Sequence, residues 1–170
     1  MNEAASRQFA ALAGAVGSLD AAGIEYWLFG GWAVDFHAGR VTRDHEDIDV
    51  AVWLSDLPRI GALLESDGWR HAPEPDEDGG TGYERESVRL ELTYLVRDAD
   101  GSVQIPLRTG RATWPADALA SATAELHGVH ARVMPLEPLA RGKSRSREEA
   151  GEAAKDRADS AVLAKLIRRA

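Results

Sequence analysis

The sequence predicts an α+β fold, with helices at both ends of the chain and strands concentrated between them. Two stretches, Asp47 to Trp53 and Val88 to Val96, alternate apolar and polar residues with the period of two that a half-buried strand requires. At the two ends the apolar residues recur at helical spacing instead: Phe9, Leu12, Val16 and Leu19 near the start, Ala158, Ala161, Val162, Lys165 and Leu166 near the finish. With 170 residues and 44% hydrophobic content, the chain can bury a core without covalent staples.

Taken in order, Asn2 to Ala22 reads as an amphipathic helix ended by Gly23. Tyr26 to Phe29 is a short apolar run suited to a buried strand. Gly30 and Gly31 break it, Trp32 to His37 forms a short helix, and Gly39 closes that helix. After the strand at Asp47 to Trp53, Ser55 is placed as the N-cap of a helix that runs to Ser66 and stops at Asp67-Gly68. Trp69 to Ala72 suits a further strand. Pro73 to Gly82 reads as a loop, first acidic and then glycine-rich. Val88 to Val96 is followed by a hairpin turn at Asp100-Gly101. Short strands are expected from Ser102 to Met134, one of them around Glu125 to Met134 and bent at Gly128. From Pro135 the composition turns helical, with a charged stretch at Lys143 to Glu149 and a terminal helix at Glu148 to Arg169. The expected organisation is a core over residues 1–134 with a helical segment, 135–170, packed on it within one domain or as a small appendage.

Composition narrows the chemistry. There is no cysteine, so thiolate metal sites and cysteine nucleophiles are excluded, and any metal must be held by oxygen or imidazole. The net charge of −8 argues against a polyanionic partner such as DNA or RNA. The first twelve residues lack the pattern of a secretion signal, and no apolar run approaches the roughly 18 residues of a membrane span. A cytoplasmic protein with no membrane partner is expected.

The candidate site lies in Leu28 to Trp53. Asp47 and Asp49 stand two apart on a strand, so they share a face about 6.6 Å apart along the chain, close enough to converge on one cation or a pair. Aspartate is disfavoured in strands, and two like charges side by side destabilise one unless something compensates. The bland reading is an exposed face with two solvated acids. Upstream, Gly30-Gly31 turns a strand into a helix, which brings backbone N–H groups and the positive end of the helix field toward a bound phosphate. Alone, that pair would serve any tight strand-to-helix turn.

Together these residues resemble the nucleotidyltransferase superfamily related to DNA polymerase beta. Gly30, Gly31, Trp32 and Asp35, followed by Thr42, Arg43, His45, Asp47, Ile48 and Asp49, look like its antibiotic-modifying branch. That branch includes aminoglycoside 2''-nucleotidyltransferases and small lincosamide nucleotidyltransferases. The resemblance implies the nucleotidyltransferase fold, a mixed β-sheet flanked by helices. It implies Mg²⁺, one or two ions, held by Asp47, Asp49 and a third acid on a neighbouring strand. Glu91 is placed there by Val88 to Tyr94, with Arg89 and Thr93 on its face. Two roles stay open for Glu91: third metal ligand, or general base toward the acceptor hydroxyl. The alternative for it is a plain pairing with Arg89.

The resemblance also implies a nucleoside triphosphate co-substrate, taken as ATP, with its phosphates on Gly30 and Gly31, a contact from Lys143, and from Arg43 either a phosphate contact or a structural one. Lys155, Asp156 and Asp159 are similar to a Lys-Asp-x-x-Asp helix of this branch, where they would hold the helix to the core. His45 is read as structural. The implied reaction moves a nucleoside monophosphate to a hydroxyl of a small-molecule acceptor, an aminoglycoside or lincosamide, and releases pyrophosphate. Glu74, Asp76, Glu77 and Asp78 would attract a cationic acceptor if their loop borders the cleft; otherwise they form an exposed acidic loop. Either a monomer or a homodimer is compatible. The competing readings are a toxin–antitoxin-type nucleotidyltransferase that modifies a protein hydroxyl and a non-catalytic nucleotide-binding protein.

Overall fold

Asn2 caps the first helix, its side-chain oxygen accepting a hydrogen bond from the Ala5 N–H at 2.8 Å. The computed structural model describes residues 1–120, 122–143 and 150–168. The helix, α1 (Glu3–Ala21), turns Leu12, Val16 and Leu19 into the core, while Phe9 is only partly buried. β1 (Tyr26–Phe29) then passes directly into α2 (Gly30–Ala38), which ends at Gly39 in the left-handed conformation. β2 (Asp47–Trp53) follows, then a 3₁₀ turn at Leu54–Asp56 and α3 (Leu57–Ser66).

Ser55 lies inside that 3₁₀ turn and does not cap α3. Pro58 sits in the first turn of α3, where its missing N–H costs nothing and its fixed φ suits a helix start. The expected strand at Trp69 to Ala72 shortens to β3 (Arg70–His71).

The largest correction concerns the glycine-rich end of the predicted loop. Gly80–Arg85 is a strand, β4, antiparallel to β5 (Val88–Arg97). Glu86 and Ser87 join them in a two-residue loop with both φ values positive, 49° and 67°. Such loops usually advertise themselves with Asn or Gly, and Glu-Ser does not. β6 (Val103–Pro106) and β7 (Arg111–Trp114) extend the sheet beyond the turn at Asp100-Gly101.

After a 3₁₀ turn at Ala116–Leu119, the expected single strand bent at Gly128 is instead a hairpin of β8 (Ala122–Leu126) and β9 (Val129–Val133). Its loop residues, His127 and Gly128, again take positive φ, which reverses the chain rather than bending it. α4 (Leu136–Lys143) and α5 (Ala150–Ile167) complete the chain; the charged stretch after Lys143 lies outside the described residues.

The strands form one mixed sheet in the order β3-β4-β5-β2-β1-β9-β8, with β6 and β7 added on β5. β2 runs antiparallel to β1 and parallel to β5, so the acidic strand is central and flanked on both sides. The inner side of α5 differs from the apolar pattern expected. Ala158, Ala161 and Lys165 are exposed, Val162 packs against the core as expected, and the fully buried residues are Asp156, Asp159 and Leu163. Two buried acids outrank the alanines because they meet cations on the core, as described next.

Candidate active site

Alternation on β2 and β5 builds the site. Ile48, Val50 and Val52, with Leu90 and Leu92, are buried on one face of the sheet. That anchorage leaves Asp47, Asp49, Glu91 and Thr93 on the other, partly open face; Ala51 shares their side but is buried. Parallel pairing sets Asp49 opposite Glu91 and Asp47 opposite Arg89. One oxygen each from Asp47, Asp49 and Glu91 lies within 4.8 Å of the others. Three clustered carboxylates repel one another, so the arrangement favours a bound cation.

Gly30 lets this cluster meet the helix. Its φ is +67°, and a Cβ there would lie 1.9 Å from Asp49 Oδ2. At Gly31 a Cβ would lie 2.3 Å from His45 Nδ1 and 2.7 Å from Arg43 Nη2. Both glycines are thus demanded by close approach. Phe29, at the N-cap of α2, makes no side-chain capping bond, so the start of the helix, with Gly31, opens on the carboxylates.

The segment between α2 and β2 is held by Asp35, which is fully buried. It accepts from the Thr42 N–H at 2.9 Å and from the Thr42 hydroxyl at 2.5 Å, and His45 Nε2 lies 2.6 Å from its second oxygen. The His45 ring packs on Trp32 with centroids 4.6 Å apart, and Trp32 Nε1 donates to Gln8 at 3.1 Å. The Gly-Gly-Trp, Asp and Thr-Arg-x-His residues therefore fold onto one another and deliver β2 at a set angle.

Arg43 and Lys143 both face the cavity over the carboxylates and both hold Asp159. Arg43 donates through Nε and Nη2 to the two oxygens of Asp159, each at 2.9 Å. Lys143 Nζ lies 3.0 Å from Asp159 and 3.2 Å from Asp156, and Lys155 Nζ lies 2.7 Å from Glu46. The cavity measures about 300 Å³ and is lined by Asp47, Asp49 and Glu91 opposite Arg43, Lys143 and Lys155. It offers acids for a metal and bases for phosphates in one space.

Burial alone would raise the Asp159 carboxyl, but its bonds to Arg43 and Lys143 outweigh that and hold it below the usual aspartate range. A folded pKa below the unfolded one means the pair stabilises the fold above about pH 3.9. That stabilisation is lost as pH falls through the folded value. Asp159→Asn is therefore expected to cost about 2–4 kcal/mol at pH 7 and to flatten the stability profile below pH 4. Urea midpoints at pH 7 and pH 3 check this. A variant whose midpoint falls with acid as steeply as that of the parent protein would contradict it.

The acidic loop adjoins the site. Glu74, Asp76, Glu77 and Asp78 line a second cavity of about 380 Å³, which shares Glu91 and Thr93 with the first. Arg89 ties the shared residue Glu91 to the acidic loop, donating to Glu91 at 2.9 Å and to Glu77 at 2.9 Å. Burial works against its charge, but the bond to Glu91 and the nearby Glu74 and Glu77 carboxylates hold it firmly ionised. The pairing of Glu91 with Arg89 and its membership of the acidic cluster thus coexist.

Residues 11–163 match the family described as Aminoglycoside-2''-adenylyltransferase. The chain belongs to that family. A 2''-aminoglycoside nucleotidyltransferase of Klebsiella pneumoniae is 39% identical over 57 residues, which span 34% of this chain and about a third (32%) of that relative. Among solved structures, the antibiotic-resistance factor ANT(2'')-Ia superposes with a TM-score of 0.69 at 19% identity, over 98% of this chain and 89% of that one. The lincomycin-bound lincosamide adenylyltransferase LnuA superposes with a TM-score of 0.66 at 19% identity, over 87% and 90%. At such identity these two define the nucleotidyltransferase fold.

Sequence reasoning assigned no role to Thr93, although its position two residues after Glu91 puts it on the same face. It also treated Arg89 only as an alternative partner for Glu91. The link from Arg89 to Glu77 depends on β4, which the glycines concealed.

Proposed function

We propose that this protein transfers a nucleoside monophosphate, AMP from ATP, to a hydroxyl of a cationic small molecule of the aminoglycoside class, with release of pyrophosphate. The observation that carries the proposal is the convergence of Asp47, Asp49 and Glu91 within 4.8 Å at the start of α2, in a cavity also lined by Arg43, Lys143 and Lys155. Three carboxylate donors at half-open positions suit a hard cation, and Asp47, Asp49 and Glu91 would hold Mg²⁺. An ion held by these three carboxylates would supply charge neutralisation to the triphosphate and polarisation to the α-phosphorus.

The chain's own groups do the rest. The N–H groups at the start of α2 and the cations Arg43, Lys143 and Lys155 bind and align the phosphates. The acceptor oxygen forms a bond to the α-phosphorus while the bond to the pyrophosphate oxygen breaks. Glu91, on the wall shared by both cavities, takes the hydroxyl proton or serves as the third ligand. The acidic cavity beside it attracts polycations and gives a singly charged lincosamide less reason to bind.

Incubation with Mg²⁺, each nucleoside triphosphate, and aminoglycosides, lincosamides or candidate proteins, followed by mass measurement, tests this. A gain of one AMP on an aminoglycoside is expected, with kcat/KM falling as ionic strength rises from 0.05 to about 0.5 M. A gain on a lincosamide or protein alone would redirect the acceptor, and no gain anywhere would sink the proposal.

A further inference from the structure

We infer that Arg89 is a positioning residue whose guanidinium locks the Glu91 carboxylate and the acidic 72–78 segment into one unit, so that a single side chain fixes Glu91, which lines both cavities, together with the acidic rim of the second. The inference rests on the proposed role of Glu91 in nucleotidyl transfer. Arg89 Nε donates to Glu91 at 2.9 Å, Nη2 to Glu77 at 2.9 Å, and Nη1 to the Ala72 carbonyl at 3.0 Å. Glu74 lies 3.4 Å from Nη2. The side chain is only 16% exposed. A planar fork can satisfy three directions at once, which a lysine ammonium on a flexible stem cannot do with the same geometry.

The neighbouring strand is built around this contact. Gly82 of β4 stands opposite Glu91, and a Cβ there would lie 2.3 Å from Arg89 Nη2 and 2.5 Å from Cζ. Glycine weakens a strand, so its presence in β4 is accounted for by the passage of the guanidinium across it. Without Arg89, Glu91 would lose its guanidinium partner and gain free rotamers that turn its carboxylate away from Asp49, which it faces across the β2–β5 pairing. Arg89 thus aims Glu91 into the acidic cluster and holds the acidic loop against the same wall.

The test compares Arg89→Gln, Arg89→Lys and Gly82→Ala with the parent protein. Arg89→Gln is expected to lower kcat roughly 10–100-fold, as small misplacements of reacting groups do, with KM for ATP within about twofold. Amide exchange across residues 73–79 should become at least about tenfold faster in the protein alone, since the segment loses its tether. Gly82→Ala keeps the charge but displaces it, and should show the same pattern. Arg89→Lys should recover part of the kcat lost in Arg89→Gln. In a Glu91→Gln background, Arg89→Gln should cost no further kcat.

An equal kcat loss in both backgrounds would overturn the inference, as would unchanged exchange across 73–79, or a full parental kcat in Arg89→Lys. A parent protein that transfers no nucleotide would remove the proposed function instead. The exchange readout would then decide the inference by itself: faster exchange supports the lock, and unchanged exchange ends it.

Discussion

Asp49→Asn is expected to lower nucleotide transfer by at least about 10³-fold, roughly 4 kcal/mol of transition-state stabilisation, while leaving the protein folded. Asp49 is the member of the acidic cluster nearest to the start of α2: its carboxylate fills the space that a Cβ on Gly30 would need. It also stands opposite Glu91 across the parallel pairing of β2 and β5. An amide keeps the shape but loses the charge that a hard cation requires. Removal of one of three crowded like charges relieves repulsion, so the melting temperature should hold or rise by a few degrees. Product mass after a timed incubation, Mn²⁺ binding by calorimetry and a thermal melt form the set of measurements. Turnover like that of the parent would remove the metal reading of this strand.

Gly30→Ala is expected to be nearly as damaging to activity, about 10²–10³-fold, through a different cause. At φ +67° an alanine is strained by about 1–2 kcal/mol relative to glycine. Its methyl would also lie 1.9 Å from Asp49 Oδ2 and 2.7 Å from Cγ, so the carboxylate or the turn must move. Movement of Asp49 breaks the cluster, and movement of the turn misdirects the N–H groups at the start of α2. The variant should therefore lose both stability and Mn²⁺ affinity, whereas Asp49→Asn loses only the second. Unfolding midpoints and calorimetry separate the two cases. A Gly30→Ala protein that binds Mn²⁺ as the parent does would show that the glycine serves the chain turn alone.

Much of the site was readable in one dimension because its parts are local. Period-two alternation around Asp47 and Asp49, and around Glu91, places each acid on the face opposite a buried apolar set, and that holds whatever the sheet around them. The glycine pair could be recognised, but its cause could not. Asp49 is near Gly30, and His45 near Gly31, only because β1 and β2 run antiparallel and the intervening segment folds back through Asp35, Thr42 and His45.

Less was readable where neighbours decide. β4 carries two glycines and ends in a Glu-Ser turn, so its intrinsic preference is poor; pairing with β5 and the passage of Arg89 make it a strand. On α5, apolar spacing placed Ala158, Ala161 and Lys165 inward, where they are exposed; Arg43 and Lys143 draw Asp156 and Asp159 inward instead, the holding role that the resemblance implied for these acids. The Asp47–Asp49 pair and its strand were determined by the sequence itself, since a strand's alternation is a property of the covalent chain. Their union with Glu91, the fit of Gly30 against Asp49, and the link from Arg89 to the acidic loop were decided only by the tertiary structure. Each depends on strands distant in sequence coming into register, and register is set by the packing of the whole sheet.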